Sequence, residues 1–411
     1  MGARALSSRF DQPIAREGSG ALKYDGRQQT FGTTEVMPMW VADMDFAVPA
    51  AVTEALQARI AHPVFGYSLA PDSLYQALID WLQIKHGWPV QREWIVLTPG
   101  VVPSLNLVVA ALTAPDEGVI VQPPVYFPFF SAVTGQQRHL LENPLSLTTD
   151  HANQSQYQMD MDHLTACAQQ GRMLLLCSPH NPVGRVWQTA EMEAILSIAN
   201  QHDLVVLSDE IHADLVYAEA QHQPLSRLAM QAETAEQTAL SHRVITAVSP
   251  SKTFNIPGLG LSALIVPNTA HRQAIQRQLN TLGLSVTNPL NMAAFEAAYR
   301  GGGNWLNELM PYLQATRDAA VAYIQAELPS IKVIAPQATY LLWLDCRALN
   351  LHDAALKRFF IEEAQLGLSP GAMFGHGGEG FMRMNIGTPQ ANVLAALARL
   401  KAACSRHGLS T

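Results

Sequence analysis

The sequence predicts an α/β fold: a large domain with a mainly parallel sheet flanked by helices, followed by a smaller α+β domain at the C-terminal end. Three observations carry this expectation. Apolar strand-like runs alternate with helix-patterned stretches from Pro71 to Val248, the pattern of a parallel sheet covered on both faces. Three of those runs stop at polar residues able to do chemistry, and ligands in open α/β sheets bind at the carboxyl ends of strands. From about Asn291 the pattern changes to a long helical region and then a mixture of short strands and helices.

The elements can be justified in order. Pro71 to His86 repeats its apolar residues at helical spacing and stops at Gly87. Strands are expected at Trp94 to Leu97, Gly118 to Gln122, Met173 to Cys177, Leu204 to Leu207 and Val244 to Val248. Helices are expected after Gly100, ending near Leu112, and from Thr189. Beyond Gly301-Gly302-Gly303 the reading gives strands near Lys332, at Tyr340 to Leu344 and at Phe381 to Asn385, with helices near Asp353 and Ala391. Gly375 to Gly380 reads either as a plain hairpin connection or as a mobile loop. Phe127, Phe129 and Phe130 read as core, because aromatics in apolar runs usually pack. The expected division is 1–48 as an N-terminal segment packing with the small domain, 49–290 as the large domain and 291–411 as the small one.

Composition sets the outer limits. A chain of 411 residues exceeds one typical domain, and 48% apolar residues supply a substantial core. The net charge is -8 without a long acidic or basic block, so there is no footprint for nucleic acid. Cys167, Cys177, Cys346 and Cys404 form no Cys-x-x-Cys pair, which argues against a zinc site or a disulfide framework and fits a reducing cytoplasm. Met1 to Gln12 lacks the apolar core of a signal peptide, and no apolar run approaches a membrane span. Histidine is frequent, yet His-Glu-x-x-His is absent, and no metal is expected.

The chemistry concentrates at the three strand ends. Lys252 lies in Ser249-Pro250-Ser251-Lys252-Thr253-Phe254-Asn255, after the apolar Val244 to Val248. A lysine amine condenses with a carbonyl only when neutral, and a partly buried pocket lowers its pKa, so Lys252 is a candidate Schiff-base nucleophile. Taken alone, the segment would be a solvated turn. Asp209 ends Leu204 to Ser208, and Asn181 sits in the turn Ser178-Pro179-His180-Asn181-Pro182-Val183-Gly184. Without the lysine they would read as a strand-end cap and an ordinary Asn-Pro turn.

These segments, with Met39-Trp40-Val41-Ala42-Asp43-Met44-Asp45-Phe46, Val64-Phe65-Gly66-Tyr67-Ser68 and Phe381-Met382-Arg383-Met384-Asn385-Ile386-Gly387, run in the order found in a known family. The chain resembles the fold-type I enzymes that use pyridoxal 5'-phosphate (PLP), the aminotransferase class I/II superfamily, and within it the MalY/PatB-type cystathionine β-lyase, or C-S lyase, branch. The resemblance covers nearly the whole chain. One departure concerns the phosphate: the broad aminotransferase pattern has an arginine a little beyond the lysine, where this chain reads Ile256 to Ser262. The other is His212, where aminotransferases commonly have tyrosine. The lyase branch also has histidine there.

The resemblance implies roles. Lys252 would carry PLP and then, once freed, act as the base that removes the substrate's Cα proton. Asp209 would pair with the pyridinium nitrogen, Asn181 and His212 with the ring oxygen, and Tyr126 would stack on the ring face. Lys252, Asp209 and Tyr126 form the expected catalytic group. For the phosphate, the amides of Val101 and Val102 at a helix start are the natural donors, with Ser249 adding a hydroxyl and Tyr67 reaching across a homodimer. Arg383 would grip the α-carboxylate in a two-pronged hydrogen bond, with Ala42 and Asn181 beside the substrate. The implied activity is C-S β-elimination of cystathionine or a related cysteine S-conjugate to pyruvate, ammonia and a thiol. An aminotransferase is the alternative, since the same lysine, acid and arginine would serve. A binding protein that keeps the fold without turnover is disfavoured because Lys252 and Arg383 are both present.

Overall fold

The computed structural model describes residues 8–149, 155–231 and 236–409. Met1 to Ser7, the start of the stretch read as lacking a leader, lie outside them. The described chain divides into two compact units. The larger runs over 48–181 and 185–306; the smaller gathers the chain up to Ala47, the short stretch 182–184 and everything from Asn307.

The larger unit is organised by a seven-stranded sheet. Its strands are β1 (Ile95–Thr98), β2 (Gly118–Val121), β3 (His139–Glu142), β4 (Gly171–Cys177), β5 (Val205–Asp209), β6 (Val244–Val248) and β7 (Ser262–Ile265). They lie in the order β1-β7-β6-β5-β4-β2-β3. All neighbours are parallel except β7, which runs antiparallel to both β1 and β6. Every residue of β5 and β6, and Met173 to Cys177 of β4, is buried, as a sheet covered on both faces requires. Beneath it, Leu105, Val108 and Val109 of the helix Val101–Leu112 join Leu175, Leu207 and Leu264 in one apolar core.

The register aligns the strand ends. Cys177 stands beside Asp209, Asp209 beside Ala247, and Thr98 beside Ser262. The turns that follow β1, β4, β5 and β6 therefore open along one edge of the sheet. The expected helix is present as Asp72–His86, burying Leu74, Ala77, Leu78, Trp81 and Leu82 at 3-4 spacing. Gly87 ends it at φ 59°, the left-handed geometry that glycine adopts without a Cβ penalty. Within this sheet two strands were not expected, β3 and β7, each only four residues long.

The smaller unit has an antiparallel sheet of β8 (Lys332–Ile334), β9 (Leu341–Asp345), β10 (Ser369–Pro370) and β11 (Phe381–Asn385), in the order β8-β9-β11-β10. Residues 371–380 connect β10 and β11, as expected of the glycine-rich stretch read as a hairpin connection. It is tied down where the Gly380 amide donates to Asp353 (2.8 Å) and the Cys346 amide to the Gly380 carbonyl (2.9 Å). Met37–Pro38 pairs with Leu366–Gly367, so the N-terminal stretch is part of this unit. Helices follow as Asp353–Arg358 and Gln390–Arg406. Among the described residues, no helix is long and apolar enough to cross a membrane.

Candidate active site

In the larger unit the turns along the sheet edge bring the expected residues together. Asp209, the last residue of β5, is 4% exposed and accepts a hydrogen bond from the Ile211 amide (3.1 Å). Burial pushes its carboxyl up to about 7, with Glu210 adding to the rise and the Ile211 amide and Lys252 opposing it. Lys252 is thus close enough for its charge to act on Asp209. It is carried on the one-turn helix Pro250–Thr253 immediately after β6. The Asn181 carbonyl accepts from the Tyr126 amide (3.1 Å), joining the turn after β4 to the turn after β2. His212, buried, lies three residues after Asp209, and its carbonyl accepts from the Leu215 amide (2.9 Å).

Val101 and Val102 open the helix Val101–Leu112, whose first amides have no intrahelical acceptors and point to the positive end of the helix dipole. A cluster of hydroxyls fixes the turn before it. Thr98 meets Ser104 and Ser262, each at 2.7 Å, and Ser104 donates to the Gly100 carbonyl (2.8 Å). Gly260 passes so close that a Cβ there would lie 2.9 Å from the Pro99 carbonyl. This close approach joins the loop after the lysine motif to the helix start.

One expectation needs correction, that of Phe127 as a core residue. Ser249 uses its hydroxyl within the chain, donating to the Leu261 carbonyl (2.9 Å) and accepting from the Ser251 amide (3.2 Å). It caps the lysine helix. Phe127 is 40% exposed, with its ring 5.0 Å from that of Tyr126, whereas Phe129 is buried as expected. Tyr67 is fully exposed in a loop with Val64, Phe65 and Leu69, so the structure does not bring it to the other site residues within this chain.

Arg383 and Ala42 belong to the smaller unit. Arg383 is buried on β11 opposite Ser369 and Trp343. Its Nη2 donates to the Trp40 carbonyl (2.9 Å) and the Ser369 hydroxyl (3.3 Å), and its guanidinium lies 4.9 Å over the Phe374 ring. The loop 40–45 is held from both sides. Tyr340 donates to the Ala42 carbonyl (2.9 Å), and Asn385 donates to the carbonyls of Val41 and Asp43, the latter at 2.7 Å. Arg16 pairs with Asp43 (2.7 Å) and Asp45 (2.8 Å), and the fully buried Lys23 pairs with Asp45 (2.9 Å). Burial works against the charge on Asp45, but Lys23 and Arg16 outweigh it and hold the carboxyl below its ordinary value. Sequence reasoning missed Arg16 and Lys23, which lie outside every motif and carry no local signal of burial.

A mainly parallel seven-stranded sheet with one antiparallel strand, carrying lysine, acid and amide on the turns along its edge, defines the class as fold-type I PLP-dependent enzymes. The model for "Aminotransferase class I and II" matches residues 34–400, and the chain belongs to that family. It is 40% identical to "Cystathionine beta-lyase PatB" of Bacillus subtilis (strain 168), over 96% of this chain and 100% of the relative. It is 33% identical to "Protein MalY" of Escherichia coli (strain K12), over 95% and 97%. Among solved structures it is similar to cystalysin from Treponema denticola, which contains pyridoxal 5'-phosphate: TM-score 0.90, 32% identity, 98% of this chain and 100% of that one.

The residues present fit that cofactor. A buried carboxyl whose charge is disfavoured by burial is the group with most to gain from a protonated ring nitrogen. A helix start offers amides to a phosphate, and a lysine stands within electrostatic reach of the acid. Among the described residues no group of His, Cys, Asp and Glu is arranged to hold a metal ion.

Proposed function

We propose that the chain is a PLP-dependent carbon-sulfur β-lyase, which converts L-cystathionine or a related cysteine S-conjugate to pyruvate, ammonia and a thiol. The observation that carries this reading is the end-to-end relationship to a cystathionine β-lyase at 40% identity. His212, three residues after Asp209 and in place of the aminotransferases' tyrosine, supports the same branch. With cystathionine the thiol is homocysteine, which puts the enzyme in methionine formation.

When bound, PLP supplies an electron sink conjugated to the substrate's Cα. Lys252 holds the cofactor and then takes the Cα proton on Nζ. Asp209 would keep a proton at the ring nitrogen, Asn181 and His212 would donate to the ring oxygen, and Tyr126 would stack on the ring face. The Val101 and Val102 amides would receive the phosphate. Arg383 grips the α-carboxylate, with Ala42 and Asn181 beside the substrate. A thiolate is a stable leaving group from Cβ, so the C-S bond breaks with its electron pair on sulfur; water then completes release of pyruvate and ammonia.

The enzyme is read as a homodimer. Tyr67 would reach the phosphate of a second copy, and the exposed Val64, Phe65 and Leu69 around it support a surface covered by that copy. Four buried free cysteines suit a cytoplasmic setting.

Purified protein with PLP and L-cystathionine, and no keto acid, is expected to release pyruvate and thiol in equal amounts. Turnover only after a keto acid is added, with amino-group transfer, would replace the lyase by an aminotransferase. The Arg383→Lys protein is expected to show a KM for L-cystathionine raised about 10- to 100-fold with kcat changed less than about threefold, because a lysine cannot reproduce a forked hydrogen bond to a carboxylate. Steady-state kinetics on both proteins checks this. An unchanged KM would remove Arg383 from the substrate site.

A further inference from the structure

Asp209 opens a turn that holds another buried acid five residues later, Asp214, whose side chain is only 9% exposed. Its carboxylate takes three side-chain donors. Trp81 Nε1 lies 3.1 and 3.2 Å from the two oxygens, His86 Nε2 3.0 Å from Oδ1, and Thr253 Oγ1 2.9 Å from Oδ2. Burial alone would raise its pKa; the hydrogen bonds from His86, Thr253 and Trp81 reverse that, so Asp214 stays charged.

Thr253 directly follows Lys252 and is the last residue of the helix that carries it. A single helical turn has no stability of its own, so its placement has to come from what it grips. Two backbone hydrogen bonds hold its far end, Phe254 to Pro250 and Ile256 to Ser251, both 2.9 Å. Ser249 pins the front through the Leu261 carbonyl (2.9 Å), and Thr253 pins the rear through Asp214. Trp81 serves twice, donating to Asp214 and packing its ring 5.3 Å from that of Phe254. The other ends of this chain return to Asp209. His86 meets the His222 ring at 5.9 Å, and His222 bonds Glu210 (3.0 Å), the neighbour of Asp209.

We propose that Asp214 is a positioning residue for Lys252, acting through the Thr253 hydroxyl. The inference rests on the reading of Lys252 as the lysine that carries the cofactor. Asp214 touches neither substrate nor cofactor in this scheme. Its task is to hold the lysine helix against the segment that also carries Asp209, so that amine and acid keep a fixed separation.

The test uses Thr253→Val, which keeps the shape and removes the donor, and Thr253→Ser, which restores it. Asp214→Asn is the companion from the other side. In cofactor-free protein, hydrogen exchange of the Phe254 and Ile256 amides, read by mass spectrometry with fragmentation, is expected to quicken about tenfold or more in Thr253→Val, the ratio that loss of a hydrogen bond to a charged acceptor carries. Thr253→Ser is expected to return it to the parent rate. With PLP bound, Thr253→Val and Asp214→Asn are expected to lower kcat for pyruvate release about tenfold, leave KM within twofold, and displace the visible band of the bound cofactor. Unchanged amide protection in Thr253→Val, or a serine variant no better than valine, would overturn the pin. Exchange is read without cofactor, so that result is distinct from failure of the lysine's role, which a Lys252→Ala protein with full turnover would reveal.

Discussion

The Lys252→Ala protein is expected to lose turnover of L-cystathionine by about 10⁴-fold or more, because one nitrogen both holds the cofactor and moves the proton at Cα. Either task alone accounts for two to four powers of ten, and removal of the side chain takes both. The fold is expected to survive. Lys252 is only partly buried, and its helix is pinned by Ser249 and Thr253 on either side. The variant is therefore expected to unfold in urea within about 1 kcal/mol of the parent, while the visible band of the cofactor joined to the lysine as an imine disappears. Addition of a small primary amine should return part of the rate, since a free amine can perform the proton transfer that the missing side chain performed. Pyruvate release at the parental rate, with an unchanged spectrum, would show that Lys252 is not the anchor.

Much of this arrangement was legible in the sequence because it is written locally. A strand buried on both faces has to be apolar throughout, so Met173 to Cys177 and Val244 to Val248 stand out; each is followed at once by the turn that carries a site residue. β3 escaped notice because His139 to Glu142 is a half-exposed edge strand without a continuous apolar run. β7 was hidden by its length and by its start at Ser262, inside a stretch read only for its missing arginine. The contact that Ser249 makes within the chain was hidden for a related reason. The serine's position in the motif is visible, but the Leu261 carbonyl that takes its proton lies on a segment brought near by the antiparallel β7. The pins on Lys252 and on the 40–45 loop were not legible at all. Trp81 and Asp214 are 133 positions apart, and Lys23 and Asp45 pair across 22, so no period or motif announces either contact.

Asp209 is expected to show opposite effects on stability and on catalysis, and Asn at this position separates them. In the unfolded chain its carboxyl loses a proton near 3.8, whereas in the folded, cofactor-free protein burial moves that loss to about 7. Between those values the folded state binds more protons than the unfolded state. Stability from this group is therefore fully present below about 3.8, falls as the pH rises through the window, and is lost above about 7, a change on the order of 4 kcal/mol by linkage. Asp209→Asn removes the titration. Urea unfolding of the cofactor-free proteins is expected to show the parent losing stability between about pH 4 and 7 relative to the variant, with the variant more stable at pH 8. With PLP the order reverses. A protonated ring nitrogen opposite a carboxylate relieves the cost of burying that charge, and the neutral amide cannot hold the proton there, so the variant is expected to lose about 10²- to 10³-fold in kcat. Parallel unfolding curves would mean that Asp209 ionises as an ordinary carboxyl in the folded chain. Undiminished kcat in the variant would mean that the ring nitrogen has another partner. The joint outcome, a sturdier cofactor-free protein and a poorer enzyme, is what a buried acid kept for its cofactor predicts.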